Sequence, residues 1–433
     1  MKLKPYPKCK DSGIGWIGKI PEVWEVHKIK HLTENFDGKR IPISAEKRED
    51  GKIPYYGATG VLDYVKDFIF NEELLLVGED GAPFFEPFKD VAYIINGKSW
   101  VNNHAHVLRV IGNNLIKWLC YYLNIYDYGT VIKGSTRDKL NQDQLSNMFI
   151  AKPSIKDQTA IANFLDKKTA KIDALIEKDK KLIALSKEKR TALINHAVTK
   201  GLDPNVKLKD SGIDWIGEIP EGWEVSRLKF TLLDMKNSIK TGPFGSQLTI
   251  DEMYNDEVKV YNQKNVIEKS ESTGENYVSN EKFKDLIGFK VKKGDLLIST
   301  RGTIGKTLRL SKKAETGILH PCLMKINNNN KVINDKFIEI LIEESDIALT
   351  QLRLLSNATT IDVIYQDNLK EIQLILPPLF KQKQIVEYID KAITKIDKTI
   401  QKIEEKIKLL EEYKKSLIHH VVTGKVDVRG VET

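Results

Sequence analysis

The chain has 433 residues, 41% of them hydrophobic, and a formal net charge of +8. That length predicts two or three domains with real cores and excludes general disorder. No apolar run reaches membrane-spanning length, the basic segment Met1 to Cys9 has no apolar stretch of a secretory signal, and Cys9, Cys120 and Cys322 show no disulfide or zinc spacing, which fits a reducing cytoplasm.

In chain order, the first element is a head, residues 8–26, KCKDSGIGWIGKIPEVWEV. A middle, 27–151, follows. Its β-like runs Glu73–Val77 and Val91–Ile95 and a short helix over 113–123 are punctuated by Gly57, Gly60, Gly78 and Gly81. A tail, 152–203, reads as one long helix. Pro153 bars helix upstream, Ser154 and Asp157 form a capping box, and Gly201 is a stop. Its apolar stripe is Leu165, Ile172, Leu175, Ile176, Leu182, Ile183 and Leu193.

The pattern then repeats. Residues 207–225 read KLKDSGIDWIGEIPEGWEV, identical to the first head at fifteen of nineteen positions. The second middle, 226–375, predicts strands at Asp295–Ser299 and Leu319–Ile326 and a helix over 335–351, with Gly242, Gly245, Gly302 and Gly305 in its turns. The second tail, 376–427, carries Ile389, Ile393, Ile396, Ile400, Ile403, Ile407 and Leu410 at spacings of three and four, a coiled-coil seam. A constant offset of 224 aligns Pro153 with Pro377, Gln158 with Gln382 and His196 with His420.

The middles share little identity, yet three parallels keep their order. Tyr56–Val61 faces Tyr261–Val266, Leu74–Val77 leading to Gly81 faces Leu296–Ile298 leading to Gly302, and His104–Val110 faces His320–Ile326. One fold with two surfaces is expected. The apolar stripes must be covered, and two tails packed antiparallel about a two-fold axis cover each other. A homodimeric seam is the alternative. A helix of about 40 residues spans about 60 Å.

Several loops carry nucleic-acid chemistry. Lys133, Ser135, Arg137 and Lys139 bring cations and hydroxyls to one loop. Ser299, Arg301, Thr303 and Lys306 do the same in the second middle, and Asn262, Gln263 and Lys264 supply amides and a cation. Gly57 and Thr59 complete the set of DNA-binding candidates. Catalytic signals fail. The run 298–307 imitates a phosphate-binding loop, but Thr300 stands where that loop needs its first glycine. Asp251, Glu257 and Lys259 resemble part of a metal-dependent nuclease, a triplet common in so charged a chain. His104 and His106 lack further ligands for a metal.

The DSGIxWIGxIPxxWxV heads, the PxxxxQxxIxxxLDxxxxxID tails and segments YYGATG (55–60), LLVGEDGA (75–82), VNNHAH (101–106), GPFGSQ (242–247) and STRGTIGKT (299–307) resemble the specificity subunit of type I restriction-modification enzymes. The resemblance covers nearly the whole chain. It implies an α+β fold in which two mixed α/β target recognition domains are separated by an antiparallel pair of long coiled-coil helices, with pseudo-two-fold symmetry. The domains would be 1–151 (first recognition domain), 152–203 (first spacer helix), 204–375 (second recognition domain) and 376–433 (second helix and tail). It further implies a non-catalytic subunit that reads a bipartite, asymmetric site in double-stranded DNA. The helices would act as a ruler for the unread spacer. Partners would be two methyltransferase subunits and restriction/translocase subunits, which bring S-adenosylmethionine, ATP and magnesium; no cofactor binds this chain directly. Trp16, Trp24, Trp215 and Trp223 are read as packing anchors. The rivals are a stand-alone DNA-cleaving or DNA-modifying enzyme and a coiled-coil interaction protein.

Overall fold

Each head closes on itself through its own polar side chains. Asp11 Oδ1 accepts from the Gly13 N–H at 2.8 Å, and Ser12 Oγ from the Ile14 N–H at 3.1 Å. In the second head Asp210 and Ser211 make the same bonds to Gly212 and Ile213, at 2.9 and 3.2 Å. The glycines adopt positive φ, +72° at Gly13 and +74° at Gly212, which a side chain would disfavour. The DSGI motif is therefore a turn, and its repetition is a repeated shape.

The computed structural model describes residues 3–133, 138–254, 257–355 and 363–431. It divides into two units, Met1–Lys181 with Lys402–Thr433, and Leu182–Gln401. Each is α+β and has its own core. In the first unit one four-stranded sheet runs Thr33–Asn35, Ala105–Val110, Leu74–Gly78, Ala92–Ile95. A second runs Gly60–Val65, Asp50–Gly57, Lys98–Val101, Phe70–Asn71, and its central pair is parallel.

The second unit repeats both sheets strand for strand. The first becomes Ile239–Thr241, Leu323–Ile326, Leu296–Ser299, Thr307–Arg309; the second becomes Tyr277–Val278, Val258–Tyr261, Gly317–Leu319, Lys290–Val291, again with a parallel central pair. The run 319–326, expected as one strand, is two strands in different sheets, parted by Pro321. The helix expected over 335–351 is likewise two, Asp335–Glu343 and Asp346–Leu355.

Backbone bonds fix which positions correspond. Asn102 N donates to Tyr56 O at 3.0 Å, and His320 N to Tyr261 O at 2.9 Å; Glu79 N donates to His104 O at 2.8 Å, and Thr300 N to Cys322 O at 3.0 Å. The expected matches of Tyr56 with Tyr261 and Gly81 with Gly302 hold. The match of His104 with His320 is displaced by two residues: His320 occupies the place of Asn102. The two side chains do one job. Asn102 Oδ1 accepts from the His104 N–H at 2.8 Å, and His320 Nδ1 from the Cys322 N–H at 3.2 Å.

The tails are single helices, Ile155–Lys200 and Leu379–Val422. The invariant glutamine explains their starts. Gln158 Oε1 accepts from Leu115 N at 2.7 Å, while its Nε2 donates to Pro153 O at 3.0 Å. Gln382 bridges Asn334 N and Pro377 O in the same way, at 2.7 and 2.8 Å. Both glutamines are fully buried, and each joins a helix start to the neighbouring helix, so losing either would strand buried polar atoms.

Within each unit the two helices run antiparallel. In the first, Lys406 meets Asp179 at 2.8 Å and Lys414 meets Asp173 at 2.7 Å; in the second, Arg190 meets Asp397 at 3.4 Å. The seam of the first helix departs from the expected stripe. Ile172, Ile176 and Asp179 are buried, whereas Leu175 and Leu182 are 44% and 46% exposed. Over Ile172, Ile176 and Asp179 the seam keeps its four–three spacing by placing an aspartate at a core position. At the helix ends, Gly201 lies against the Trp223 ring and Gly424 against Pro21 and Trp24, so close that a Cβ at Gly424 would sit 2.3 Å from Pro21 Cδ.

Candidate nucleic-acid interface

In each unit the strand ends and the turns that follow them gather at one edge. In the first unit these are the turn after Gly57, the segments Glu79–Gly81 and Asn102–His104, and Lys139. Gly57 belongs to the frame: its carbonyl accepts from the Tyr93 hydroxyl at 2.5 Å, and a Cβ would lie 2.4 Å from Leu62 Cδ1. Thr59 is exposed in the turn, and Lys133 is exposed as well. Ser135 and Arg137 lie outside the described residues.

Behind this edge is a network of charged groups. Arg40 reaches Glu79 at 2.6 Å and Asp37 at 3.5 Å. His106 is fully buried, with Nδ1 2.6 Å from Asp37 and Nε2 2.8 Å from Leu140 O. Lys139 meets Glu79 at 3.2 Å. Burial opposes the charge on both carboxylates. The bonds from His106 and Val107 to Asp37, and from Arg40 to Glu79, outweigh it and hold both below the usual carboxyl range. Ligand atoms of Asp37, Glu79 and His106 lie within 4.8 Å of one another. Both histidine nitrogens already face oxygen partners and two cations already serve the carboxylates, so the donor set is that of a neutralised hydrogen-bond network.

The second unit builds the same edge from other residues. Asn262 caps a short helix: its Oδ1 accepts from Lys264 N at 2.9 Å, and its Nδ2 donates to Asn276 at 2.6 Å. Gln263 Nε2 donates to Arg301 O at 3.0 Å, tying this segment to the Arg301–Thr303 turn. Lys264, Arg301 and Thr303 are exposed. Ser299 is fully buried, and its Oγ accepts from Lys306 N at 3.0 Å, so its place is in the loop's frame. Lys306 is 3.4 Å from Glu343. Burial and then the nearby Arg301 hold His320 below the ordinary histidine range. The structure thus brings Asn262, Gln263, Lys264, Ser299, Arg301, Thr303 and Lys306 together.

Sequence reasoning quotes the 242–247 run but does not name Phe244 as a candidate. It is 79% exposed on a turn braced by Gly242 N to Leu323 O at 2.9 Å and by Phe244 N to Gln247 Oε1 at 3.0 Å. Gly242 and Thr300 flank the start of the Leu323–Ile326 strand on opposite sides, which sets Phe244 and Arg301 at one edge. The same turn in the first unit carries Arg40, whose guanidinium donates to Ala105 O at 2.8 Å, the equivalent of the acceptor used by Gly242. The equivalence needs strand register to be seen.

The catalytic look-alikes dissolve in three dimensions. After the glycines of 298–307 comes a strand, Thr307–Arg309, where a phosphate-binding loop would open a helix. Lys259 is buried, its ammonium over Tyr261 and Tyr277 at 5.8 and 5.5 Å, while Glu257 accepts from Asn280 N at 2.7 Å. Three of the four head tryptophans are packed. Trp24 and Trp223 are buried, and Trp16 meets Tyr126 edge-on at 4.9 Å. Trp215 is 50% exposed, a departure from the expected anchor. The residue after the C-cap of the helix Ile116–Asn124 is Tyr126, and after that of the helix Asp335–Glu343 it is Ser345, so the ring that meets Trp16 has no counterpart in the second unit.

Comparison with known proteins agrees with this geometry. The family model for the type I restriction modification DNA specificity domain matches residues 21–185 and 220–409. A Haemophilus influenzae chain described as a type I restriction enzyme specificity subunit is 26% identical over 372 residues, covering 84% of this chain and 86% of its own length. The type I restriction enzyme MjaVIII specificity subunit of Methanocaldococcus jannaschii is 24% identical, covering 95% of each chain. A chain from a solved structure of a type I R-M system superposes with a TM-score of 0.68 at 13% identity, covering 93% of this chain and 98% of that one, which supports the fold. Because the family match falls once on each unit and takes in most of the sequence, the chain belongs to the type I restriction modification DNA specificity domain family.

Proposed function

We propose that the chain is the sequence-reading subunit of a type I restriction-modification complex, each unit reading one half of a bipartite, asymmetric site in double-stranded DNA. The observation that carries this is one strand topology used twice with different groups at the same loop edge. Thr59 and Lys133 in one unit, and Gln263, Lys264, Arg301 and Thr303 in the other, are the groups assigned to DNA, with Ser135 and Arg137 as further candidates. Gly57, Asn262 and Ser299 shape those loops, and Lys306 adds a cation. The chain itself supplies no catalysis. Methyltransferase subunits bring S-adenosylmethionine, and translocating, cleaving subunits bring ATP and magnesium.

The test is methylation mapping of DNA from cells expressing this chain with its modification subunits, joined to anisotropy binding on duplexes at several salt concentrations. One bipartite motif and salt-sensitive binding are expected. Methylation or cleavage by the purified chain alone would overturn the assignment. A second test concerns the helices. Seven residues inserted after Lys181 and seven after Gln401 add about 10 Å of helix, enough for about three base pairs of extra spacer with both half-sites unchanged.

A further inference from the structure

Lys240 and Lys325 are direct cross-strand partners, so two like charges share one face of a sheet at the distance where they repel. The Lys325 ammonium is held by the carbonyl of Lys290, and Lys292 follows on the same strand end. Burial works against the charge on Lys325; Asp295 favours it, and Lys292, Lys240 and Lys290 each repel it. Among the described residues no carboxylate forms an ion pair with Lys240, Lys290, Lys292 or Lys325. That compensating charge, Asp295, is fully buried and already bonded to Asn327 at 2.6 Å and to Lys292 N at 3.1 Å.

The first unit shows that the fold does not require these lysines. Register places Phe36 at the position of Lys240 and Val107 at that of Lys325, and Ile69 precedes the paired Phe70 as Lys290 precedes Val291. Phe36, Val107 and Ile69 belong to one apolar cluster. Three apolar residues in one unit are thus three converging cations in the other. The Lys240 ammonium has a partial partner in the Phe289 ring, 5.0 Å away, but like charges packed together where the same backbone accepts apolar residues still suit a ligand that neutralises them. Converging ammonium groups suit a phosphate oxygen.

We infer that Lys240, Lys290 and Lys325, with Lys292 beside them, form a backbone-phosphate site for DNA in the second unit, outside its base-reading loops. The inference rests on the DNA-reading function proposed above. Lys325 is two residues, about 7 Å of strand, from Leu323 at the loop edge, so a duplex docked on that edge brings its sugar-phosphate strand past the cluster.

The experiment uses the full complex with its methyltransferase subunits and a duplex carrying the mapped motif. Binding is followed against salt for the wild type, for Lys240→Gln/Lys290→Gln/Lys325→Gln, and for Lys240→Phe/Lys325→Val, which installs the residues of the first unit. Both variants should lower the slope of log affinity against log salt by about two, the loss of two or more phosphate contacts, and leave the methylated motif unchanged. The Phe/Val variant should also melt no lower than wild type, which separates lost contacts from lost folding. A wild-type slope retained by both variants overturns the phosphate site while leaving the DNA reading intact, as does a changed motif. A wild-type complex that binds without salt sensitivity overturns both.

Discussion

The two units furnish the same backbone with different electrostatics, a charged network in the first and mostly neutral groups in the second. Where the first has Glu79 and Asp80, the second has Thr300 and Arg301; Asp37, His106 and Lys139 become Thr241, Met324 and Val363. The main-chain bonds scarcely notice: Leu140 N to Glu79 O and Ile364 N to Thr300 O are both 2.9 Å. The frame is therefore carried by peptide groups, glycines and the buried glutamines, and the loop side chains are left free to differ. The first unit neutralises its buried charges internally. The second leaves Arg301, Lys264 and Phe244 exposed.

The largest expected effect tests that internal neutralisation. Arg40→Met leaves Asp37 without its guanidinium and Glu79 with Lys139 alone, and should cost about 3 kcal/mol by denaturant unfolding. Thr300→Val, at the position of Glu79, removes one neutral bond to Cys322 O and should cost about 1 kcal/mol. Equal losses would break the contrast. Next comes binding. Arg301→Ala should weaken the complex on its mapped site about ten- to a hundred-fold and relax one position of a single half-site, read by binding to a panel of base-substituted duplexes. Uniform weakening across all sequences would make Arg301 a phosphate contact instead.

Acid should also separate the variants. Asp37 and Glu79 have folded values below their unfolded ones, so the stability they add is present above about pH 4 and is lost as pH falls through the folded values. Thermal melts from pH 7 to pH 3 should show this limb, and Asp37→Asn should flatten it. Glu343 in the second unit, held low by Lys269 and Thr307 against the effect of burial, leaves a residual slope. The smallest effect is in the helices. Asp179 occupies the seam position that Ile403 fills in the second helix. Asp179→Ile should be neutral or raise stability by about 1 kcal/mol. A loss above that would mean that the Lys406 pair supports the seam more than an apolar residue can.

Heads and tails were legible because their chemistry is local. A DSGI turn, a proline before a helix and a glycine after it act within a few residues, so identity in sequence meant identity in shape. The long helices were legible from period, except where Asp179 takes a core position that an apolar count skips. The middles were harder. Their equivalence lies in which N–H meets which carbonyl, and His104 and His320 coincide in letter but not in place. The candidate loop at Arg301 was visible as exposed polar chemistry. Phe244 and the lysines were not, because a phenylalanine reads as core and a lysine reads as solvated surface until a strand partner shows otherwise.

The ends of the tails have one more consequence. Gly201 meets the head tryptophan Trp223 through a covalent connection of a few residues. Gly424 meets Trp24 with no such connection, and there Asp427 N bonds Lys4 O at 2.8 Å instead. A hydrogen-bonded seam stands where the other unit has a peptide link. Cutting the chain between Asp203 and Val206 should therefore leave the second head seated on Gly201, as the first head is seated on Gly424 without a link.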